Sequence, residues 1–447
     1  MRLWDTAFRE VVDVKTRQEG RISLYVCGPT PYADPHAGHG RLLLVYDVLR
    51  RYLEWRGWDV RHVSNITDIE DKIIARAAAE GIAPEELVAR GEAQWFAASD
   101  QLGVLRPHAA PRATEYVDKI VDFIAGLIES GHAYETSDGV YFEVSQLADY
   151  GALLNQSLDS LRAGARVEVI EDKRAPGDFA LWKLAKPGEP EWPSPWGAGR
   201  PGWHIECTVM ALDLLGEDFD LHGAGTDLIF PHNENERAQS VAAGRRFARH
   251  WLHNEMLTTG GEKMSKSLGN VLPLQEVLAD RDPRALRLLV LRSHYRTQME
   301  VTPDGLDDAT AALRRLDAFA RRFPPGGETA TGAELDQFIS HMEDDLDTPG
   351  ATAVIFDTLR RANAEADRGK ESFAQGLAAE VHDMCAAVGL VYRTGVEIDD
   401  ESQALVAQRD AARAAKDFAR ADELRGELEA RGWQIEDTPE GTKLHPA

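Results

Sequence analysis

The stretch "RISLYVCGPTPYADPHAGHGRLLLVYDVLRRYLEWRGWDVRHVSNIT" spans residues 21–67 and alternates between strand-like and helix-like patterns. It opens with a β-branched and aromatic run that ends at the turn pair Gly28-Pro29. A helical pattern follows, in which four apolar residues share one face: Leu42, Val45, Leu49 and Leu53. A second strand-like run then completes a βαβ unit. The order predicts an α/β fold with a parallel sheet.

The composition is that of a globular protein with more than one domain. The chain has 447 residues, of which 43% are hydrophobic and 28% charged. Apolar runs fall short of the ~20 residues that cross a bilayer, and the N-terminus carries no apolar secretory signal, so we expect no membrane partner. Three widely spaced cysteines indicate a reducing compartment, the cytoplasm. The formal net charge of −25 leaves nucleic-acid binding open, because a local basic surface can coexist with it.

The pattern changes along the chain. Residues near 115–165 are less regular and predict an insertion, and after about residue 305 the sequence is helical almost throughout. The last stretch predicts two helices, a strand, a turn at "TPEGT" and a final strand.

A strand that turns sharply into a helix favours phosphate binding, because the helix N-terminus presents free N–H groups and a positive dipole. At this corner His36 and His39 could donate hydrogen bonds to phosphate oxygens, and Gly38 would let a nucleotide lie against the backbone. Taken alone, two such histidines are more often ordinary helix-start residues.

The segment "GGEKMSKSLGN" at 260–270 places Lys263 and Lys266 in a glycine-bounded loop. Two ammonium groups there suit the neutralisation of a triphosphate while pyrophosphate is displaced. An exposed basic turn is the alternative for this segment alone. Together with the histidine corner, the string Lys-Met-Ser-Lys-Ser favours a class I aminoacyl-adenylate site.

Four residues form a candidate metal set: Cys27, Cys207, His232 and Glu236. His232 and Glu236 are four residues apart and so share one helical face. Two thiolates, an imidazole and a carboxylate suit zinc. The chain has no C-x-x-C, however, and a lone buried cysteine is usually a small core residue.

The whole chain resembles the cysteinyl-tRNA synthetases. The segments that carry the resemblance are "YVCGPTPY", "HAGHGR", "NITDIEDKI", "GARVEVIEDKRAPGDFALWK", "WPSPWGAGRPGWHIEC", "DLHGAGTDLIFPHNENE", "EKMSKSLGN", "DLDTPGA" and "RDAARAAKDFARADELR…GWQIEDTPEGT". The resemblance implies a Rossmann-type (HUP-like) catalytic domain with an insertion, then a helical bundle and a small C-terminal α+β anticodon-binding domain. The implied boundaries are 1–115 and 166–255 for the two catalytic halves, 116–165 for the insertion, 256–315 for the lysine-loop segment, 316–395 for the bundle and 396–447 for the anticodon domain.

The resemblance also implies the chemistry. The enzyme would activate L-cysteine with ATP and Mg²⁺ to cysteinyl-adenylate and transfer cysteine to tRNA(Cys), as a monomer. One zinc ion on Cys27, Cys207, His232 and Glu236 would bind the substrate thiolate. Because zinc prefers thiolate to hydroxyl, serine would be rejected without an editing domain.

Further site residues follow from the same resemblance. The implied catalytic and ATP-binding residues are His36, Gly38, His39, Lys263 and Lys266. The implied residues around the cysteine are Thr67, Trp203, His222 and Asp227. The candidates for tRNA contact are four basic residues of the C-terminal helices: Arg409, Arg413, Lys416 and Arg420. For each of them, a place on a charged, solvent-exposed helix face is the alternative.

The sequence departs from the family pattern around the site. The family usually has Val, Asp and Ile where this chain has Pro31, Ala33 and Ala37, and "GGGSD" where this chain has "GAGTD" with Ala224. Asn233 replaces the second histidine of the usual His-His-Glu-Asn-Glu. The departures suggest a functional but divergent synthetase.

Two rival functions remain from the sequence. A cysteine ligase of the mycothiol-biosynthesis type would make the same adenylate and pass cysteine to an aminosugar, but it lacks a C-terminal module like residues 402–447. An inactive RNA-binding paralogue is disfavoured, because the histidines, lysines and metal set are all retained.

Overall fold

A computed structural model describes residues 1–154, 172–259, 262–263, 271–279, 281–326, 332–394, 399–438 and 441–446. The chain divides into two compact units. The first comprises Met1–Leu313 with Pro325–Val391, and the second comprises Arg314–Pro324 with Tyr392–Ala447.

The strands are β1 (Arg2–Asp5), β2 (Glu10–Asp13), β3 (Arg21–Val26), β4 (Asp59–Ser64), β5 (Ala133–Thr136), β6 (Gly139–Phe142), β7 (Phe179–Leu184), β8 (Gly199–Pro201), β9 (Leu221–Gly225), β10 (His250–Asn254), β11 (Leu257–Thr259), β12 (Glu262–Lys263), β13 (Met299–Glu300), β14 (Trp433–Thr438) and β15 (Gly441–Pro446). The helices are α1 (Ala37–Trp55), α2 (Asp71–Glu80), α3 (Pro84–Gln101), α4 (Val117–Glu129), α5 (Trp203–Leu215), α6 (Glu234–Ala242), α7 (Leu274–Ala279), α8 (Arg284–Leu291), α9 (Pro303–Arg322), α10 (Ala333–Glu343), α11 (Thr348–Asp367), α12 (Glu371–Ala387), α13 (Asp400–Ala414) and α14 (Phe418–Ala430).

Four strands form a parallel sheet in the order β10-β9-β3-β4. β3, α1 and β4 form the predicted βαβ unit, and Tyr25 pairs with Val63 in the register of β3 with β4. β3 is buried from Ile22 to Val26, as a central parallel strand covered on both faces must be. The carboxyl ends of β3 and β9 therefore meet at one edge, where parallel sheets bind ligands.

Helix α1 packs against this sheet through Tyr46. Its hydroxyl oxygen lies 2.9 Å from the Ala224 carbonyl and 2.7 Å from the Leu252 carbonyl. A Cβ on Gly223 would lie 2.3 Å from the Tyr46 ring, so this strand position requires glycine. The side chain of Arg41, also in α1, donates to the Met256 carbonyl at 3.0 Å and ties the helix to the segment that precedes β11.

An antiparallel sheet in the order β5-β6-β7-β8 lies between the two parts of the parallel sheet in sequence. Its core packs Phe142 and Trp182 against Ile205 of α5. The sequence predicts an irregular insertion at 116–165. Helix α4 and strands β5 and β6 occupy its described part instead, while residues 155–165 lie outside the described residues.

The remaining helices agree with the predicted all-helical region. In the second unit, α13 and α14 are followed by the β14–β15 hairpin, as the sequence predicted. The buried side chains of Leu424, Leu428 and Leu444 form a small core there. Among the helices that the structure describes, none is long and apolar enough to cross a membrane.

Candidate active site and metal centre

A cavity of about 530 Å³ opens at the carboxyl ends of β3 and β9. This volume suits a small-molecule substrate site. Nine of the predicted site residues line it: Cys27, His36, Gly38, His39, Thr67, Trp203, Cys207, Asp227 and His232. Of the positions that depart from the family pattern, Ala33 also lines the cavity, whereas Ala37 and Ala224 are fully buried in the core.

The histidine corner begins helix α1. His36 is the N-cap, with extended backbone, and its ring stacks on that of His39 with centroids 3.7 Å apart. The His36 backbone N–H donates to His39 Nδ1 at 3.2 Å. Because Nδ1 accepts this bond, the neutral His39 ring carries its proton on Nε2, which is a hydrogen-bond donor.

The chain that follows the Lys-Met-Ser-Lys-Ser string meets the same corner. The Ala37 N–H donates to the Leu272 carbonyl, and the Leu274 N–H donates to the Pro35 carbonyl, both at 2.9 Å. Lys263 lies in strand β12, which pairs with β11. Lys266 lies outside the described residues. The corner thus holds the chain just after the Lys-Met-Ser-Lys-Ser string.

Cys27 follows β3 directly, and the next residue lies against the β4 side of the site. The Gly28 N–H donates to Asn65 Oδ1 at 2.9 Å, and a Cβ on Gly28 would lie 1.6 Å from the Asn65 carbonyl oxygen. Glycine is therefore required beside Cys27 for this close approach. Asn65 Nδ2 in turn donates to Thr67 Oγ1 at 3.1 Å and orients that side chain.

The four candidate metal ligands come together from β3, α5 and the start of α6. One ligand atom from each of Cys27, Cys207, His232 and Glu236 lies within 4.8 Å of the others, and all four side chains are buried. Cys27 Sγ lies 3.7 Å from Glu236 Oε1, and His232 Nε2 lies 3.0 Å from the same oxygen. Two sulfurs, one nitrogen and one oxygen at this separation fit a tetrahedral zinc site.

The four side chains of the cluster differ in their protonation. Burial opposes ionisation of Glu236, but the charges of His222 and His232 outweigh it and hold the pKa of Glu236 well below its usual range. A hydrogen bond from the Cys27 thiol lowers the pKa of Cys207 to about 6. Burial raises the pKa of the Cys27 thiol, and the charge of Glu236 outweighs burial to raise the pKa of His232 to about 10. A metal that binds here therefore displaces a proton from each of these two ligands.

The outer contacts of the cluster orient His232 and Glu236. His204 Nδ1 lies 2.9 Å from His232 Nδ1, which leaves His232 Nε2 to face the cluster. His222 lies behind the cluster rather than on the cavity wall, with Nε2 2.8 Å from Glu236 Oε2. Trp203 covers His232 with ring centroids 4.3 Å apart.

The candidate tRNA residues lie in the second unit and differ in their surroundings. Arg409 is buried, and its guanidinium pairs with Asp437 at 2.7 Å. Arg413 pairs with the same carboxylate, and Arg420 pairs with acidic neighbours on its own helix. Lys416 is exposed in the turn between α13 and α14.

Sequence reasoning missed several residues of the site. Trp95 of α3 lines the cavity and meets the His39 ring edge-on at 5.4 Å between centroids. His253 contacts Asn233, whose replacement the sequence did show. Neither Trp95 nor His253 stands in a motif, and only the packing of α3 and β10 reveals them.

Three family models match consecutive parts of the chain. They are the class I (C) tRNA synthetase catalytic domain over residues 13–311, the DALR domain over 337–392 and the cysteinyl-tRNA ligase anticodon-binding domain over 396–443. The cysteine–tRNA ligase of Halorhodospira halophila is 47% identical over 437 residues, with 95% of each chain covered. The chain belongs to the cysteine–tRNA ligase family.

Other cysteine–tRNA ligases align over nearly the full length. Those of Pectobacterium carotovorum and Carboxydothermus hydrogenoformans are 43% and 42% identical, each with 99% of both chains covered. Methionyl-tRNA synthetase of Mycobacterium tuberculosis, solved with methionyl-adenylate, has the same fold with a TM-score of 0.61. It is 16% identical and covers 83% of this chain and 90% of its own. The class I synthetase fold predicted from the sequence is confirmed.

Proposed function

We propose that this protein is a cysteine–tRNA ligase that charges tRNA(Cys) by way of cysteinyl-adenylate. The observation that carries the proposal is the buried Cys27, Cys207, His232 and Glu236 cluster, which meets the histidine corner in one cavity. In the first step the cysteine carboxylate attacks the α-phosphorus of ATP and pyrophosphate leaves. In the second, a hydroxyl of the terminal ribose attacks the carbonyl carbon and AMP leaves.

The metal is zinc, one ion per chain, held by these four side chains. The donor set fits zinc, because the two sulfurs, one nitrogen and one carboxylate are close together and shielded from water. When bound, zinc supplies a soft Lewis acid that prefers thiolate to hydroxyl. The contacts of His204 with His232 and of His222 with Glu236 hold the two non-sulfur ligands in place.

The chain's own residues surround the substrate side chain with apolar and hydrogen-bonding groups. Trp203 forms one wall beside His232, and Thr67 offers a hydroxyl whose orientation Asn65 sets. Asp227 on the cavity wall suits the substrate ammonium group. Serine fills such a pocket nearly as well as cysteine, so discrimination by shape alone would be small.

The histidine corner binds the phosphates of ATP. The N-terminus of α1 and His39 Nε2–H provide donors for charge that develops on the α-phosphate. Lys263, Lys266 and Mg²⁺ complete the neutralisation of the triphosphate. Gly38 lines the cavity at the first turn of α1, where a larger residue would narrow the space for the nucleotide.

The second unit binds the tRNA through Lys416, Arg413 and Arg420, with Arg409 supporting the fold of that unit through Asp437. The domains of the chain are the two catalytic halves 1–115 and 166–255, the insertion 116–165, the lysine-loop segment 256–315, the bundle 316–395 and the anticodon domain 396–447. The enzyme acts as a monomer in the cytoplasm, in keeping with its three free thiols.

The test is aminoacylation with purified protein, ATP, labelled cysteine and total tRNA, scored as ribonuclease-sensitive, acid-precipitable label. Charging with cysteine and not with serine is expected. Cysteine-dependent ATP–pyrophosphate exchange without charging would overturn the tRNA step and point to a small amine acceptor. Loss of both activities would overturn the enzyme assignment.

A further inference from the structure

A chain of hydrogen bonds leads from the half-buried Thr6, just after β1, to the metal-ligand cluster. Thr6 Oγ1 lies 2.7 Å from His253 Nδ1, and His253 Nε2 lies 2.9 Å from Asn233 Oδ1. Asn233 Nδ2 then lies 2.9 Å from Glu236 Oε1 and 3.5 Å from Cys27 Sγ. Asn233 is fully buried, so water does not compete for these bonds.

The donor and the acceptor of each hydrogen bond can be assigned in turn, starting from the metal-ligand cluster. An ionised Glu236 only accepts hydrogen bonds, so the Asn233 amide must turn its nitrogen toward the carboxylate. The amide oxygen then faces His253, which must donate from Nε2. His253 Nδ1 is left as an acceptor for the Thr6 hydroxyl. Every donor in the chain therefore points toward the ligands.

We propose that Asn233 is a positioning residue of the metal centre: its two amide N–H groups hold the Glu236 carboxylate and the Cys27 sulfur in their ligand positions. The inference rests on the proposed zinc site. A hydrogen bond to a thiolate also draws electron density from the sulfur, so Asn233 tunes how strongly Cys27 donates to the metal.

The same geometry assigns His253 and Thr6 a supporting part. They fix the orientation of the Asn233 amide, which otherwise could turn its oxygen instead of its nitrogen toward the carboxylate. An amide does not titrate, so both donors persist over the whole working pH range, unlike those of an imidazole at the same position.

The test compares zinc release from two holoenzyme variants of nearly equal burial. Asn233→Leu removes the donors at similar volume, and Asn235→Leu removes a buried amide two residues along α6 whose Oδ1 accepts from the Tyr150 hydroxyl at 2.6 Å. Loss of such an outer-sphere contact weakens metal binding about 10–100-fold. We expect zinc transfer to a chromogenic chelator to quicken about tenfold or more in Asn233→Leu, and less than about threefold in Asn235→Leu.

Cobalt substitution separates positioning from general loosening. Removing a donor to Cys27 raises the energy of the sulfur lone pairs, so the thiolate-to-cobalt absorption of Co²⁺-loaded Asn233→Leu should shift to longer wavelength. Asn235→Leu should keep the wild-type spectrum, and Asn233→His, which retains one N–H, should fall between. Equal zinc release from both leucine variants, or an unshifted cobalt band, would overturn the inference. If the wild-type protein binds no zinc, the proposed metal site itself fails, and the two failures are thereby distinguished.

Discussion

Cys27 Sγ lies 3.7 Å from Glu236 Oε1, although 209 residues separate the two along the chain. The contact brings the end of the central strand β3 to the first turns of α6. Folding of the parallel sheet is therefore what assembles the metal set, and the metal set in turn links the two catalytic halves of the sequence. Metal binding should stabilise the folded first unit as well as recognise substrate.

Cys207→Ser should abolish stoichiometric zinc. The hydroxyl is a poor zinc ligand compared with a thiolate, so the zinc content by mass spectrometry should fall from about one ion per chain to near none. Cysteine-dependent pyrophosphate exchange should fall at least about 100-fold, since even outer contacts cost 10–100-fold. Cys385→Ser, a buried cysteine in α12, is the matched control and should keep its zinc. Full zinc occupancy in Cys207→Ser would contradict the assigned ligand set.

His39→Asn should slow adenylate formation while leaving the corner folded. The asparagine oxygen can still accept from the His36 N–H, but the donor at Nε2 is lost. Removing one preorganised donor costs about 10²–10³-fold in kcat. Steady-state pyrophosphate exchange measures this, with zinc content and the KM for cysteine unchanged. His132→Asn, at a half-buried histidine whose ring stacks on Phe142, should behave as wild type. An equal loss there would refute a specific role of His39.

Arg287→Met should destabilise the first unit strongly. Arg287 and Asp47 form a buried ion pair at 2.5 Å between α8 and α1, with both side chains nearly inaccessible. Asp47 keeps its pair with Arg51 at 2.8 Å, so losing Arg287 should cost less than the full penalty of an unpaired buried charge, about 2–3 kcal/mol. Urea unfolding followed by circular dichroism measures the loss. Arg360→Met breaks an exposed pair with Asp357 and should change stability by less than about 1 kcal/mol. Comparable losses in both variants would argue against a burial effect.

His62 should make the fold sensitive to mild acid. Burial, then the charge of Arg50, lowers the pKa of His62 to about 3. Between that value and the usual 6.5, the unfolded chain binds a proton that the folded chain does not, so stability falls as the pH falls through this window. From pH 7 to pH 5 the loss should be about 2 kcal/mol from this residue. Urea titrations at the two pH values measure the free energy of unfolding. Its loss between pH 7 and pH 5 should be smaller in His62→Phe than in the wild type by this amount. An unchanged pH dependence would show that His62 is protonated in the folded state.

Lys416→Ala should weaken tRNA binding and leave the rate of adenylate formation unchanged. Its exposed ammonium group is suited to a phosphate contact, and losing one such contact lowers the salt dependence of binding by about one ion. Filter binding of tRNA(Cys) at several salt concentrations, with pyrophosphate exchange in parallel, measures both. Lys186→Ala, an exposed lysine of the first unit, serves as the control. Identical salt slopes for Lys416→Ala and the wild type would remove Lys416 from the tRNA surface.

Local pattern alone was enough to predict β3, α1 and β4. The β-branched and aromatic run in residues 21–26 and the helical spacing after residue 40 depend only on residues that are neighbours in the chain, so they can be recognised without knowing the tertiary structure. The same holds for the C-terminal helices and hairpin. The metal set was different: its spacing was inconclusive, and the resemblance to a family singled it out.

Tertiary structure decided what each polar side chain does. The sequence showed that Asn233 replaces a histidine, but only the approach of β10 places His253 on one side of it and Cys27 on the other. The sequence likewise showed Arg409 and Lys416 as equal basic residues, whereas packing against β14 buries the first beside Asp437 and leaves the second exposed. Such roles depend on contacts between residues far apart in sequence, and hydrophobic periodicity carries no information about which distant group a side chain will meet.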